Sequence, residues 1–428
     1  MATKEKWIEL IKDFYEKDVP TVLPREVEIP LQLPLNRAVT IIGPRRAGKT
    51  YVMYHTIVKL LKTVPKEQVL YVNLEQSGLG VLASGDLDVM LECLYEVYPQ
   101  NKKKRVYLFL DEIQNVKEWE KFVRSSLDEG IKVYLSGSSS KMLSREIATS
   151  MRGRTLTYKV LPFSFREFLQ AKGILFSAQL SSSEKAQIIH AFNDYVTYGG
   201  YPETVIYPQE KEKILGEILD VTIYKDVIER ANVRNVTALR MLIDSLITSQ
   251  EFSMHKFYNY LKSMGIKAGK NVLYLYSEHL TDAFFSFMLK KFSYSYKKSE
   301  QSIPKPYIID NGFFSIKNMA DKSRLMENMV YLELLRRGEH MAYYSDGTSE
   351  IDFLTRKGRE VTALMQVCYD LSNFNTKERE IKPLLKQSEG FSCKNLWVIT
   401  WDYEAQEMIA GKKIRYIPLW KWLLGEKR

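Results

Sequence analysis

The sequence predicts an α/β fold in which a parallel sheet is followed by a helical region and then by a second, smaller α/β domain. Three observations predict it. Short apolar runs alternate with helical patterns between residues 38 and 136, which is typical of a parallel sheet covered by helices. Beyond Pro162 the alternation stops, and helical periodicity continues to about Leu289. Short strand patterns then return from Met341 onward.

Composition places the chain among globular proteins. Of its 428 residues, 45% are hydrophobic and 27% are charged, which excludes a disordered or collagen-like chain. The net charge of +10 permits an anionic partner without requiring one. Cysteines and histidines are scattered, so we expect neither a disulfide framework nor a histidine-built zinc site. The N-terminal segment mixes acids with bases and no apolar run approaches about 20 residues. We therefore expect a cytoplasmic protein without a signal peptide or a membrane contact.

The elements of the first domain follow one another in a regular order. Residues 6–17 form an amphipathic helical pattern, and the prolines from Pro20 to Pro34 predict an extended connector after it. A glycine-rich turn follows the first apolar run and opens a helix that continues to about Leu61. The predicted buried strands are 38–42, 69–73, 106–110 and 132–136.

The glycine-rich turn from Gly43 to Thr50 fits the pattern GxxxxGK[ST] between a buried strand and a helix. Its glycines let backbone N–H groups surround phosphate oxygens, and the following helix presents its N-terminus to the anion. Lys49 is expected to reach the β- and γ-phosphates of ATP, and Thr50 to offer a hydroxyl to Mg²⁺. The alternative is a chance glycine turn. The predicted ATP-binding residues are Gly43, Pro44, Arg45, Arg46, Ala47, Gly48, Lys49, Thr50 and Tyr51.

An acidic pair ends the strand predicted at 106–110. The strand delivers Asp111 to the carboxyl edge of the sheet, where its carboxylate is expected to join Thr50 in the Mg²⁺ shell. Glu112 is expected to polarise the attacking water, a role that separates hydrolases from kinases among P-loop proteins. A strand-ending acidic pair also occurs at the start of ordinary surface turns. The spacing from Lys49, with one predicted strand between, favours the catalytic interpretation.

Two further groups are candidates for the reaction. Ser138 follows the strand at 132–136, where a polar side chain can contact the γ-phosphate or the water; a serine cap of the next helix is the alternative. Arg152 and Arg154 flank a glycine and are candidates for an arginine finger that acts on a neighbouring subunit. Ordinary surface arginines are the alternative for this pair.

Taken in order, these motifs resemble those of a known family. The matching segments are LDEIQ (110–114), SGSSS (136–140), RGRTLTYKVLPFSFREFL (152–169), YGGYPE (198–203), YKDVIER (224–230) and ENMVYLELLRRG (327–338). The chain resembles the prokaryotic, largely archaeal, AAA-type P-loop ATPases that carry a C-terminal restriction-endonuclease-like domain. The resemblance covers most of the chain, and it implies an ATPase domain, a helical middle with a winged helix, and a nuclease-like tail.

This organisation gives the expected domain boundaries. They are an N-terminal helix and connector (1–35), an AAA-type core (36–162), a helical lid (163–235), a winged helix (236–295) and a nuclease-like domain (305–428). Within the fourth segment, Phe252-Ser253 predicts the start of a helix, Gly265 a turn, and Asn271 the region where a second helix begins. The DNA-binding candidates at that second helix are Lys267, Lys270 and Asn271. A winged helix that contacts only proteins is the alternative.

The tail has the element order of the PD-(D/E)xK nucleases. That resemblance assigns one acid to a helix, here Glu327, and another to a strand, here Asp352. The next strand carries Gln366 two residues before Cys368, where such nucleases have an acid or Gln and then a Lys. Cysteine cannot stabilise charge at a phosphate as lysine does. We expect a degenerate, inactive site, unless a lysine arrives from the following helix, such as Lys377 or Lys382.

Three functions therefore compete. The first is an ATPase that couples nucleotide state to DNA binding or remodelling, with self-association that extends to a hexamer. The second is a nucleotide-gated switch, in signalling or defence, that acts on a protein partner. The third is an ATP-regulated nuclease. Stimulation of ATP turnover by DNA separates the first from the second, and cleavage with Mg²⁺ or Mn²⁺ identifies the third.

Overall fold

The computed structural model describes residues 3–20, 22–32, 36–139, 151, 153–177, 179–319 and 321–425. The chain divides into two compact units, residues 1–160 and 161–428. Among the described residues, no helix has the length and apolar character that a membrane span requires.

The first unit is built on a five-stranded parallel sheet in the order β2-β4-β6-β1-β7. Its strands are β1 (Ala38–Ile42), β2 (Val69–Asn73), β4 (Tyr107–Asp111), β6 (Lys132–Gly137) and β7 (Thr155–Lys159), with the short pair β3 (Leu82–Ala83) and β5 (Val116–Lys117) outside it. Its helices are α1 (Lys4–Glu16), α2 (Lys49–Leu60), α3 (Ser84–Val97) and α4 (Trp119–Asp128). Every residue of β1 and β4 is buried, as expected for strands covered on both faces.

The sequence analysis missed β7, although it used the same residues as a motif. This strand lies at the edge of the sheet beside β1, and its residues are half-buried or exposed. An edge strand covered on only part of its surface lacks the continuous apolar run that identified the central strands. The P-loop parallel sheet was predicted correctly, with one strand too few.

The second unit begins with the helical region that the sequence predicted. Its helices are α5 (Phe165–Ala171), α6 (Ser182–Tyr198), α7 (Pro202–Ile206), α8 (Lys211–Val221), α9 (Val236–Thr248), α10 (Met254–Ser263) and α11 (Lys270–Asp282), and a π-helix (Thr222–Glu229) continues α8. Ser253 caps α10 by accepting a hydrogen bond from the backbone of Lys256, and Gly265 has φ of +73° in the turn that follows. Helix α11 then begins one residue before the predicted start.

Two strands interrupt the helical region at its end. Helix was predicted through Leu289, but α11 ends at Asp282, and β8 (Ser286–Leu289) pairs antiparallel with β9 (Lys305–Ile308). Phe284 takes a left-handed backbone conformation, with φ of 58°, which ends the helical path before β8. The short helices α12 (Tyr296–Glu300) and α13 (Gly312–Ser315) flank β9.

The tail forms a six-stranded mixed sheet in the order β10-β11-β12-β13-β15-β14. Its strands are β10 (His340–Ser345), β11 (Glu350–Lys357), β12 (Glu360–Cys368), β13 (Leu396–Thr400), β14 (Ala405–Ile409) and β15 (Lys412–Pro418), and its helices are α14 (Lys322–Arg336), α15 (Phe374–Gly390) and α16 (Leu419–Leu424). The pairs β12–β13 and β13–β15 are parallel and the others are antiparallel. The edge strand β14 was not predicted.

A double glycine joins α6 to the end of β9 inside the second unit. The backbone N–H of Gly200 donates to Asp310 at 2.7 Å, and that of Gly312 donates to the same carboxylate at 2.8 Å. Burial raises the pKa of Asp310 to about 7, and these two donors oppose the shift. Gly199 has φ of +74°, and a Cβ on it would lie 1.6 Å from Asp310 Oδ1. Only glycine fits at this contact.

Gly199→Ala should therefore lower the free energy of unfolding by about 3 kcal/mol or more, because strain and a clash with a buried carboxylate act together. Gly216→Ala is the matched control, since a Cβ there meets nothing within 4 Å inside α8. The control should be neutral or stabilise by up to about 1 kcal/mol. Urea unfolding measures both; equal midpoints for Gly199→Ala and wild type would contradict the assignment.

Candidate functional site

The candidate site lies at the carboxyl edge of the first sheet. Parallel pairing brings Asn73 of β2 beside Asp111 of β4, and Ile41 of β1 beside Ser136 of β6. The glycine-rich loop therefore leaves the sheet beside the end of β6, with the end of β4 on the far side of β6. Chain segments far apart in sequence meet at this edge, as in other open α/β sheets.

The loop from Gly43 to Gly48 curves tightly above β1. A Cβ on Gly43 would lie 1.9 Å from the carbonyl oxygen of Val160, so the backbone of the chain leaving β7 occupies the space that a side chain would need. Arg46 and Gly48 have φ of 61° and 93°, which opens the turn before α2 begins at Lys49. This is a cradle of backbone N–H groups at a helix N-terminus, suited to phosphate.

The remaining loop residues lie around this cradle. Pro44 supplies a carbonyl inside it, Ala47 is buried, and Arg45 faces Glu75 at 3.4 Å. Tyr51 lies one turn into α2 and is 56% exposed. Its position on the outside of the helix gives it no described contact with the loop.

Lys49 is buried in the loop that it is predicted to serve. Its ammonium donates to the carbonyl oxygens of Gly43 at 3.2 Å and Pro44 at 3.1 Å, and it lies 3.7 Å from Glu112 Oε1. Only 4% of the residue is exposed. The ammonium thus lies inside the loop, where a phosphate bound by the loop would be within its reach.

Thr50 and Asp111 meet as the sequence predicted. The Thr50 hydroxyl donates to Asp111 Oδ2 at 2.6 Å, and Asp111 is 1% exposed. A hydroxyl beside a buried carboxylate is an oxygen donor set that suits Mg²⁺. These residues fit the metal that accompanies ATP.

Asp111 has two further partners that the sequence analysis missed. The Tyr71 hydroxyl donates to Oδ2 at 2.8 Å, and the Ser136 hydroxyl donates to Oδ1. Burial and the charge of Asp111 raise the pKa of Tyr71 well above its usual range, which keeps it a donor. The signal was present in the sequence: a serine inside a buried strand, two residues before the chosen Ser138, and a tyrosine among aliphatic residues.

Glu112 lies beside the phosphate loop in a left-handed backbone conformation, with φ of 55° and ψ of 50°. Its N–H donates to the Ser136 hydroxyl at 2.9 Å, which fixes the turn that follows β4. Gln114 donates its amide N–H to Glu112 Oε2 and contacts Ser138 Oγ at 3.4 Å. Ser138 is buried and is joined to Glu112 through Gln114.

The arginine-finger candidates lie elsewhere. Arg152 is outside the described residues. Arg154 precedes β7 at the amino edge of the sheet, where its carbonyl accepts from the N–H of Ala38, and its guanidinium pairs with Asp128. The sheet, about five residues deep, separates this edge from the phosphate loop, so Arg154 does not contact the nucleotide site of its own chain.

The DNA-binding candidates lie together on one surface of the second unit. Lys267, Lys270 and Asn271 are exposed around the start of α11. Lys270 Nζ lies 3.4 Å from His255 Nδ1 on α10. Exposed apolar side chains share this helix: Tyr274 is 48% exposed and Leu275 is 49% exposed.

The tail brings together the predicted acids and a lysine from an unexpected place. Lys305 of β9 lies 3.4 Å from Glu327, 3.3 Å from Asp352 and 2.5 Å from Glu350. Lys377, one of the two lysines considered as a substitute, instead pairs with Glu407 at 2.5 Å. Burial and the charge of Glu327 raise the pKa of Asp352 to about 7, although Lys305 opposes the shift.

The tail does not fit a divalent metal in this arrangement. Gln366 accepts from the Asp352 N–H at 2.9 Å and donates to Glu380 at 2.9 Å, so its amide joins the sheet to α15. Within the described part of the chain, no group of three or more His, Cys, Asp or Glu residues is placed to hold a metal ion. The ammonium of Lys305 occupies the region between Glu327 and Asp352.

Comparison with known proteins finds an AAA domain around the phosphate loop. A family model described as an AAA domain matches residues 35–169, and one described as a domain of unknown function (DUF8612) matches residues 189–323. An uncharacterized protein of Haemophilus influenzae is 29% identical over 89% of this chain and 93% of that protein. Among solved structures, the Walker-type ATPase paby2304 of Pyrococcus abyssi is 12% identical, covers 74% of this chain and 96% of that chain, and has a TM-score of 0.45.

One relative is similar along nearly its whole length. The uncharacterized protein MJ1544 of Methanocaldococcus jannaschii matches 418 residues, which span 94% of this chain and 91% of that protein. With 38% identity over that span and an AAA domain around the phosphate loop, the chain belongs to the family of AAA-type P-loop proteins that includes MJ1544.

Proposed function

We propose that the protein binds and hydrolyses ATP and couples its nucleotide state to DNA binding. The observation that carries the enzymatic part is the meeting of Lys49, Thr50, Asp111 and Glu112 at one edge of the first sheet. Lys49 supplies a cation for the phosphates, Thr50 and Asp111 supply two magnesium ligands, and Glu112 supplies a base. A purely structural role for the sheet does not explain why these four side chains meet at one edge.

Each residue has a separate task in the proposed reaction. The loop N–H groups and Lys49 bind and orient the phosphates. When the anion binds, the Lys49 ammonium exchanges its hydrogen bonds to the carbonyls of Gly43 and Pro44 for contacts with the phosphates. Bound Mg²⁺ would supply charge stabilisation at the β- and γ-phosphates. Glu112 takes a proton from the attacking water, and Gln114 holds that carboxylate. Ser136 and Tyr71 fix Asp111, while Ser138 remains the proposed sensor.

Lys49→Ala tests nucleotide binding directly. The variant should bind a fluorescent ATP analogue at least about 10-fold more weakly, because a charge-assisted contact to phosphate is lost. Lys59→Ala is the control, since it removes a lysine from the last turn of the same helix. Equal affinity in Lys49→Ala and wild type would show that the loop does not bind phosphate as proposed.

The coupling to DNA rests on the segment 236–295, with α9, α10, α11 and β8, which we interpret as a winged helix. Lys267, Lys270 and Asn271 are exposed at its second helix-turn-helix element, where such folds meet a nucleic acid. ATP turnover should rise when DNA is added, and Lys267→Glu with Lys270→Glu should remove the rise. If the rate of ATP turnover does not change when DNA is added, the ATPase proposal stands and the proposed coupling to DNA is wrong.

The exposed face of α11 favours the nucleotide-gated protein switch as a second candidate. Tyr274 and Leu275 offer apolar surface next to the lysines, and contiguous exposed apolar side chains mark protein contacts. Tyr274→Ser should then weaken partner capture and leave DNA stimulation unchanged. Loss of DNA stimulation in Tyr274→Ser, with partner capture unchanged, would instead support the DNA function.

We further propose that hydrolysis requires a second subunit in an assembly as large as a hexamer. Arg154 lies at the amino edge of the sheet, and its own phosphate loop lies at the carboxyl edge. If Arg154 acts on a nucleotide, that nucleotide is therefore bound by a neighbouring copy of the chain. Lys49→Ala and Arg154→Ala proteins should each be at least about 10³-fold slower than wild type, and their mixture should regain measurable turnover. The rate of wild type should also rise with protein concentration. A monomer with concentration-independent turnover would contradict this proposal.

A further inference from the structure

A cavity of about 690 Å³ in the second unit, which we call the aromatic cleft, is lined by none of the phosphate-loop residues and by none of the tail acids Glu327, Glu350 and Asp352. Residues of the loop 290–304 form one side, and residues of β10 and α15 form the other. Its volume lies within the range of small-molecule and nucleotide sites. Nothing proposed above uses this cleft.

The loop that forms the cleft is held in a defined conformation. Phe292 donates its N–H to the carbonyl of Tyr343 at 2.6 Å, which adds the start of the loop alongside β10. Ser299 donates its hydroxyl to the carbonyl of Lys291 at 2.8 Å, and Ser302 accepts from the Lys291 N–H at 3.2 Å. The two ends of the loop are therefore tied together.

Aromatic rings form the wall of the cleft. The ring of Phe292 contacts those of Tyr294, at a centroid distance of 5.1 Å, and Phe391, at 5.4 Å. Tyr344 packs against Phe391 at 5.1 Å. Tyr294 is nonetheless 77% exposed, and Tyr296 beyond it is 79% exposed. Two tyrosines thus present open ring surface next to a rigid aromatic wall.

Positive charge accompanies the rings. Lys291 and Lys298 line the cleft, and Lys297 is exposed beside it. Glu251 is the acid of the lining. A second acid, Glu300, is paired with Lys290 at 2.5 Å. The local balance is positive, so the cleft suits an anionic partner.

We propose that the aromatic cleft binds single-stranded nucleic acid, with phosphates on Lys291, Lys297 and Lys298 and bases stacked on Tyr294 and Tyr296. Proteins that bind single strands combine aromatic rings with lysines. Each unpaired base offers a face that stacks on a ring, and the lysines contact the phosphates. In a duplex those faces are covered, so the tyrosines would gain nothing. The inference extends the proposed nucleic-acid role and does not depend on ATP hydrolysis.

The test measures fluorescence anisotropy of a labelled oligo-dT of 20 nucleotides, its RNA counterpart and a 20-base-pair duplex with the full chain. Wild type should bind a single strand more tightly than the duplex. Tyr294→Ala with Tyr296→Ala should weaken single-strand binding about 10-fold or more, and Tyr294→Phe should retain it. Lys297→Glu with Lys298→Glu should also weaken binding and lower the salt slope by about 0.7 per lost phosphate contact.

The control is Lys102→Glu with Lys103→Glu, which changes the net charge equally at exposed positions of the first unit. This control should bind like wild type. An equal loss in control and cleft variants would show a nonspecific charge effect and overturn the inference. If Lys267→Glu with Lys270→Glu abolishes binding while the tyrosine variants do not, the winged-helix role stands and the cleft is not the site. If only the cleft variants lose single-strand binding, the cleft inference stands and the single-strand site is not the winged helix.

Discussion

Glu112→Gln should bind ATP as wild type does and hydrolyse it about 10²–10⁴-fold more slowly, the usual contribution of a general base. The substitution keeps size and hydrogen-bonding capacity but removes the carboxylate that accepts the proton. Asp111, Thr50 and Lys49 remain in place, so the phosphates and the metal keep their ligands. Binding and turnover are therefore expected to separate.

Glu118→Gln is the matched control for this experiment. Glu118 has the same φ of 55° as Glu112, but it lies on the surface and pairs with Lys121 at 2.6 Å. It should turn over ATP at the wild-type rate. Phosphate release measured at saturating ATP, beside equilibrium binding of an ATP analogue, gives both numbers for each variant. Wild-type turnover in Glu112→Gln would assign the base to another group.

The sequence predicted the nucleotide site where its chemistry is local. Gly43, Lys49 and Thr50 belong to one continuous motif, and a buried strand led directly to Asp111. Ser136 and Tyr71 come from two other strands, and only parallel pairing brings them to Asp111. Contacts of this kind depend on strand order, which sequence patterns do not give. The strand β7 was missed for a different reason, because an edge strand carries a weak apolar pattern.

Lys305 is the clearest case of information that sequence spacing does not carry. The family pattern places the lysine at Cys368, so sequence spacing pointed to the helix that follows it. In the structure it comes from β9, more than 60 positions earlier, through the pairing of β9 with β8 and the packing of α14. Cys368 instead lies buried, with its thiol directed to the carbonyl of Asp370 at 3.3 Å.

Lys305→Met should lower the free energy of unfolding by about 3–5 kcal/mol, because it removes a buried cation and leaves partly buried carboxylates unpaired. Lys305 is 5% exposed, and Glu327 and Asp352 face it across about 3.4 Å. Lys421→Met is the control: its partner Glu404 is at the surface, so the loss should stay below about 1 kcal/mol. Asp352→Asn should recover part of the loss in the Lys305→Met background, since it removes one of the unpaired charges.

The same ion pairs predict that the tail does not cut DNA. Lys305 contacts both Glu327 and Asp352, and Gln366 is engaged with Glu380, so the side chains that would hold a metal already have protein partners. Wild type, Asp352→Ala and Cys368→Lys should all leave supercoiled DNA intact over hours with Mg²⁺ or Mn²⁺. Nicking by wild type that Asp352→Ala abolishes would reverse this conclusion, and Lys305 would then be the lysine of an active site.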